Sequence, residues 1–233
     1  MVFVILFYIK APYGRFQRPG WGFTIKARWA WILQELPAFL FPLLLFISYR
    51  AWDSIPAIIM LIIWEFHYFH RTFIYPFRFG SPNKPYPGLI VLFAIIFNCI
   101  NGFINGYYLF HLASFSNEWL LSPYFIAGIT LFLLGYWINK QADSQLRSLK
   151  LIGGTEYKAP RKGLFNWISN PHYFGEILEW SGWALLTLSL PGLAFAVFTF
   201  ANLAPRAWSH HQWYLNKFPE YPKNRKALIP FLW

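Results

Sequence analysis

The last third of the chain sets ionisable side chains at regular spacing beside long apolar runs. His172, Glu176 and Glu179 fall at i, i+4 and i+7, one face of a helix. Arg206, His210 and Tyr214 recur every four residues and share another face. Buried carboxylates need donors, which a ribose or an amide can supply, and Arg and Lys suit phosphates. These two faces predict a buried polar ligand. No Gly-x-Gly-x-x-Gly follows a strand pattern, so a Rossmann site is excluded and any nucleotide must be held by helical side chains. Asn139, Asp143 and Arg147 form a third face at i, i+4 and i+8, readable as ligand-facing or as an ordinary solvated surface.

A second group lies upstream. Glu35 sits about a third of the way into an apolar run, beside Gln34 and before Pro37. A carboxylate at the centre of a membrane helix costs about 2.5–3.5 kcal/mol on insertion scales, so it faces a bundle interior and has a task. Two tasks fit: a protonated, hydrogen-donating acid, or a structural carboxyl paired with a nearby base. Glu65, His67, Tyr68, His70 and Arg71 crowd the end of the next run. Tyr68 reads as a hydrogen-bond donor or as an interfacial aromatic. The six histidines raise the question of a metal, but membrane di-iron oxygenases use more histidines than this chain has, and no metal site is expected.

The elements that must position these residues are membrane helices. A composition of 57% hydrophobic and 23% aromatic residues is too apolar for a soluble domain of 233 residues. The apolar segments 1–9, 29–49, 55–70, 89–113, 119–138, 174–190 and 193–204 predict seven helices, with a break at Pro191-Gly192. All Lys and Arg except Arg50 fall in the segments 10–28, 71–84, 140–162 and 206–226, which seven spans put on one side. The expectation is an all-α, multi-pass integral membrane protein of about seven transmembrane helices, N-terminus out and C-terminus cytoplasmic. Its net charge of +11 then reflects topology and anionic lipid contact rather than nucleic acid. Cys99 cannot form an intrachain disulfide, and no cleavable signal peptide is evident. The Pro-rich stretch 81–87 and the polar stretch 140–170 read as loops that either close over a phosphorylated ligand or serve structure alone.

The order of motifs resembles the steroid 5α-reductase family. Leu-Gln-Glu-Leu-Pro-Ala-Phe (33–39) and His-Tyr-Phe-His-Arg-Thr-Phe-Ile-Tyr (67–75) come first. Asn-Pro-x-Tyr-Phe-Gly-Glu-Ile-x-Glu-Trp (170–180), Arg-Ala-x-x-His-His-x-Trp-Tyr (206–214) and Phe-Pro-Glu-Tyr-Pro-Lys-x-Arg-Lys-Ala-Leu-Ile-Pro-Phe (218–231) follow within 163–231. The likeness runs from about Tyr13 to the end and implies one transmembrane reductase domain over 1–233. It further implies an NADPH-dependent reduction of the 4,5 double bond of 3-oxo-4-ene steroids by hydride transfer to C5. Carried over by motif, Glu35 and Tyr68 would hydrogen-bond the C3 ketone, with Gln34 beside them. The NADPH would lie against Asn101, Asn139, Asp143, Arg147, Lys150, Tyr157, Lys158, His172, Glu176, Arg206, His210 and Tyr214.

The sequence departs from the family at several places. His172 stands where members usually have Asn, Lys150 and Lys158 where vertebrate members have Arg, and Phe93 where those have an Arg near the substrate end. Another lipid enone, of polyprenol or enoyl type, is therefore a second expected substrate class. Two further readings are a membrane methyltransferase using S-adenosylmethionine and a non-catalytic lipid-binding scaffold. The resemblance places the protein in the inner membrane of a bacterium or the endoplasmic reticulum of a eukaryote, as a monomer.

Overall fold

The computed structural model describes the chain except residues 1, 10, 11, 13–15, 79–81 and 154–157, and the side chains of 2, 5 and 150–153. Tyr157, Lys10, Arg15, Ser81 and Gly154, which entered the sequence reading, lie outside the described residues. Among the described residues seven α-helices follow one another: α1 (Val2–Tyr8), α2 (Ala27–Ser48), α3 (Ile55–Phe69), α4 (Gly88–Tyr107), α5 (Pro123–Gly153), α6 (Pro171–Thr187) and α7 (Leu190–Lys217). α2, and α4 with its continuation to Leu112, are long and apolar enough to cross a bilayer. The chain falls into two compact units, residues 12–126 and residues 1–11 with 127–233.

In the 12–126 unit, helix starts are joined by a short ladder that the all-α expectation lacks. β1 (Thr24–Lys26) pairs antiparallel with β2 (Pro85–Pro87), with Ile25 opposite Tyr86. The ladder is short because Pro85 and Pro87 carry no N–H. Its strands satisfy donors that a helix start leaves open. Ala27 and Arg28 N–H donate to the carbonyls of Lys84 and Pro82 at 2.9 and 3.1 Å, while Gly88 and Leu89 N–H donate to those of Phe23 and Trp21 at 2.7 and 3.3 Å. The Pro-rich stretch thus caps α2, which is its structural reading. Gly88 has no room for a side chain, since a Cβ would stand 2.8 Å from Phe23 O.

α2 and α4 approach closely because small residues face each other. A Cβ on Gly102 would lie 3.3 Å from the Ala38 Cα, and one on Gly106 3.0 Å from the Pro42 Cα. Pro42 removes the N–H that the Ala38 carbonyl would otherwise accept in a helix. Trp64 Nε1 replaces it, donating to Ala38 O at 2.8 Å. Asn98 Nδ2 donates to Gln34 O at 2.6 Å, a second side-chain bond to the α2 backbone. The Trp64 indole thus completes the backbone of a proline-containing helix. α3 ends in a wider π-type turn, His70–Ile74.

In the other unit α5 and α6 meet backbone to backbone. Gly128 and Gly135 on α5 and Gly182 and Gly175 on α6 each lie where a Cβ would come within 3 Å of the opposite main chain. Both pairs are seven residues apart, two turns of helix, so they line one stripe. The α6–α7 junction corrects the expected break: it comes at Leu188, with φ of 40°, and Ser189, not at Pro191-Gly192. Pro191 sits in the first turn of α7, where its fixed φ and missing N–H cost nothing. Ser189 Oγ accepts from Gly192 N at 3.0 Å and caps the helix. α1 packs along α7, with Phe3 stacked on Phe200 at 6.2 Å. The C-terminal tail returns to the segment before α6: Ser169 N donates to Lys226 O at 2.9 Å and Lys226 N to Trp167 O at 2.8 Å.

Candidate active site

Gln34 and Glu35 lie mid-helix on α2 and both are buried, Glu35 at 7% exposure. Glu35 Oε1 accepts from Arg71 Nε at 3.3 Å, an ion pair between α2 and the π-type turn. Gln34 Nε2 stands 3.4 Å from the same oxygen. The pairing with a nearby base, one of the two tasks open to this carboxyl, is what the structure has. Arg71 is held in place by aromatic faces, its guanidinium 4.7 Å from the Trp31 ring centre and 5.6 Å from that of Tyr75. Tyr68, one turn before Arg71, is buried at 3% exposure, its ring 5.0 Å from those of Trp64 and His67. Tyr68 is thus an interior residue and not an interfacial one. Asn101 is buried on α4, where its Oδ1 accepts from Asn105 Nδ2 at 3.1 Å and its own Nδ2 has no hydrogen-bond partner among the described residues.

The later helices carry the remaining candidates, within the other unit. Asn139 is buried on α5, donating through Nδ2 to His172 O at 2.9 Å, while its Oδ1 has no hydrogen-bond partner among the described residues. Asp143 and Arg147 follow at one-turn intervals, half-buried, where α5 leaves its apolar stretch. Lys150 is in the last turns of α5, and Lys158 is exposed beyond it. His172 and Glu176 are half-buried on the first turns of α6, and Glu179 is fully buried one turn further on. α7 runs unbroken through Arg206, His210 and Tyr214, so the expected face exists. His210 Nδ1 lies 3.2 Å from Asn170 Oδ1, and its ring stacks on Tyr173 at 5.6 Å. Tyr214 stacks on Tyr221 at 5.1 Å and an interplanar angle of 5°.

Behind this face is a polar network that spacing alone did not reveal. Asn170 Nδ2 donates to the carbonyls of Ala207 and Ala227, both at 2.9 Å, joining α6, α7 and the tail. Ser169 Oγ lies 2.7 Å from His211 Nδ1 and 2.8 Å from the Tyr221 hydroxyl. Arg225 is buried, donates to Pro160 O at 3.0 Å and covers the Tyr221 ring at 4.6 Å. Burial, then Arg225 and Lys226, hold the His211 imidazole below its ordinary pKa, and burial pushes the Tyr221 phenol up. Asn170, His211, Tyr221 and Arg225 stand inside the quoted motifs and Ser169 just before one, but their partners are 37 to 65 positions away, beyond helical spacing. No group of three or more His, Cys, Asp and Glu side chains able to hold a metal ion occurs among the described residues.

A profile described as 3-oxo-5-alpha-steroid 4-dehydrogenase matches residues 84–233. Human 3-oxo-5-alpha-steroid 4-dehydrogenase 1 is 45% identical over 225 residues, covering 96% of this chain and 86% of the relative. Steroid 5-alpha-reductase DET2 of Gossypium hirsutum is 41% identical over 235 residues, 99% and 91% of the two chains. The chain belongs to the 3-oxo-5-alpha-steroid 4-dehydrogenase family. Human 3-oxo-5-alpha-steroid 4-dehydrogenase 2, at 43% over 209 residues, covers 89% of it. The protein is therefore an oxidoreductase, of a family that works with a nicotinamide cofactor. The family profile spans α4 to the tail, while the identities extend through α2 and α3, where Glu35 and Tyr68 stand.

Proposed function

We propose that this steroid dehydrogenase-family enzyme reduces the 4,5 double bond of 3-oxo-4-ene steroids with NADPH, using Glu35 and Tyr68 to polarise the C3 ketone. The observation that carries the reading is the clamped Glu35 carboxyl: Arg71 takes Oε1, and Tyr68 stands one turn from Arg71 on the same helical path. On binding the ketone, Glu35 would take its acid form and donate to the carbonyl oxygen, and the Tyr68 phenol supplies a second donor. Withdrawing density through that oxygen makes C5 electrophilic, and the same two donors carry the negative charge that develops on it. Gln34 supports the carboxyl from the other side. A bound NADPH would supply the hydride that ends on C5, and a proton taken up at C4 collapses the enolate to the saturated ketone.

The residues present fit that cofactor. Asn139 keeps a buried oxygen without a hydrogen-bond partner, which an amide or hydroxyl donor can satisfy. Asp143 and Glu176 accept from ribose hydroxyls, Arg147 and Arg206 with Lys150 and Lys158 suit phosphates, and His210, Tyr214 and His172 offer rings and polar tips. Asn101 contributes its amide. Tyr157 belongs to this set by motif.

In the same reading the seven apolar segments are seven spans of one transmembrane reductase domain, N-terminus out and C-terminus cytoplasmic, with α5 and α7 running past their spans into the basic segments. The four basic segments then share the cytoplasmic side. The test is turnover: purified protein should oxidise NADPH with a 4-ene-3-one steroid and form the 5α-reduced product. A panel that includes polyprenol and enoyl enones separates substrate classes. Retention of S-adenosylmethionine instead of NADPH, with no enone reduced, would reject the assignment.

A further inference from the structure

α3 and the π-type turn after it carry two buried polar groups that the ketone-polarising scheme leaves unused. Both carboxyl oxygens of Glu65 and the hydroxyl of Thr72 are buried with no hydrogen-bond partner among the described residues. Thr72 has no exposed surface at all. They flank Tyr68, at three residues before and four after, which puts all three toward one side of the helical path. The π-type turn at His70–Ile74 keeps that alignment, since a wider turn returns to the same face after a little over four residues.

An unsatisfied buried polar group costs about 1–3 kcal/mol, and more when charged, so three such oxygens around one tyrosine require a compensating partner. The exposed positions one turn to either side of Glu65, Ile62 and Phe69, and its neighbour Phe66 are all apolar, so the carboxyl does not belong to a polar surface. What Glu65 lacks is a donor, and a ligand hydroxyl is the neutral group that supplies one in an apolar site.

We propose that Glu65 is a specificity-determining residue. It accepts a hydrogen bond from a hydroxyl that the substrate carries near its enone ring, one helical turn from the carbonyl held at Tyr68, with Thr72 lining the other flank. This rests on the reading of Tyr68 as the ketone contact. It makes the preferred substrate a hydroxylated enone, because a site built to bond a hydroxyl discriminates strongly against the analogue without one.

The experiment compares two 4-ene-3-one steroids, one carrying a 19-hydroxyl and its parent with the plain methyl, on the full-length protein with NADPH. Wild type should favour the hydroxylated substrate in kcat/KM. Glu65→Leu should lower that preference at least tenfold, and Glu65→Gln, which keeps an acceptor oxygen, should retain part of it. Equilibrium binding of the two steroids without NADPH should show the same order. An unchanged preference in Glu65→Leu, in turnover and in binding, overturns the inference and leaves the carboxyl to a buried water. If wild type turns over neither steroid, the enone-reduction reading fails, and the binding comparison alone decides whether Glu65 senses the hydroxyl.

Discussion

The two units bury polar groups in opposite ways. In residues 12–126 the polar side chains lie mid-helix and engage each other or the backbone: Glu35 with Arg71, Asn98 with the Gln34 carbonyl, Trp64 with the carbonyl opposite Pro42. In the 127–233 segment they gather where α5, α6 and α7 turn polar, half-buried, and are joined to a returning tail. A few donors inside an apolar bundle suit one carbonyl on an otherwise lipid-like molecule. A spread of carboxylates, amides and guanidinium groups suits a long polar molecule with phosphates. Under the proposed function the contrast would divide the work, with chemistry at the first group and cofactor affinity at the second.

That division is most exposed to substitutions that should move only one of the two quantities. Glu35→Gln and Tyr68→Phe should each lower turnover of a 4-ene-3-one by about 10²–10³, the usual cost of one oxyanion donor, with a far smaller change in NADPH affinity. Fluorescence titration of NADPH beside a turnover assay reads both. Full turnover in Glu35→Gln would end the division. Arg206→Ala should do the reverse, weakening NADPH about tenfold or more through a lost charged contact, with kcat at saturating cofactor little changed. The helix contact beneath the second group sharpens the comparison without touching a ligand. Gly135→Ala would drive a methyl into the Glu179 amide and the Gly175 carbonyl, both rigid backbone. Overpacking of this kind costs about 1–3 kcal/mol, read as a lower melting temperature.

Helix positions were legible because long apolar runs declare themselves: all seven expected segments became helices. So were the faces 139–147, 172–179 and 206–214, since periodicity needs no knowledge of the fold. What escaped were features decided by distant partners. Arg71 could be named only as some nearby base until α2 and α3 were placed side by side. The β1–β2 ladder hides in a proline-rich stretch, which argues against strands locally but here caps α2 through carbonyls 54 and 57 residues away in the chain. Pro191-Gly192 looked like a break because proline ends helices more visibly than it starts them. The glycines of α5 and α6 carry a seven-residue spacing readable in sequence, yet its meaning depends on which helix faces it.

The smallest effect concerns the tail that closes the second group. His211 is buried against Ser169, and Ser169 also meets Tyr221, which Arg225 covers. Burial disfavours the charged imidazolium, and a proton on His211 would also add a third cation beside Arg225 and Lys226, so its pKa lies below the ordinary imidazole value. The unfolded chain then takes up this proton before the folded one does. Stability is therefore constant well above the ordinary histidine pKa and falls as pH drops through it toward the depressed folded value. Melting curves from pH 8 down to 5 should show that decline in wild type and a flatter profile in His211→Gln, whose amide can still meet Ser169. NADPH affinity should fall along with it, because Asn170 ties the same tail to the backbone beside His210. An equal acid response in both proteins would place the sensitivity elsewhere and free the tail from any part in holding the cofactor face.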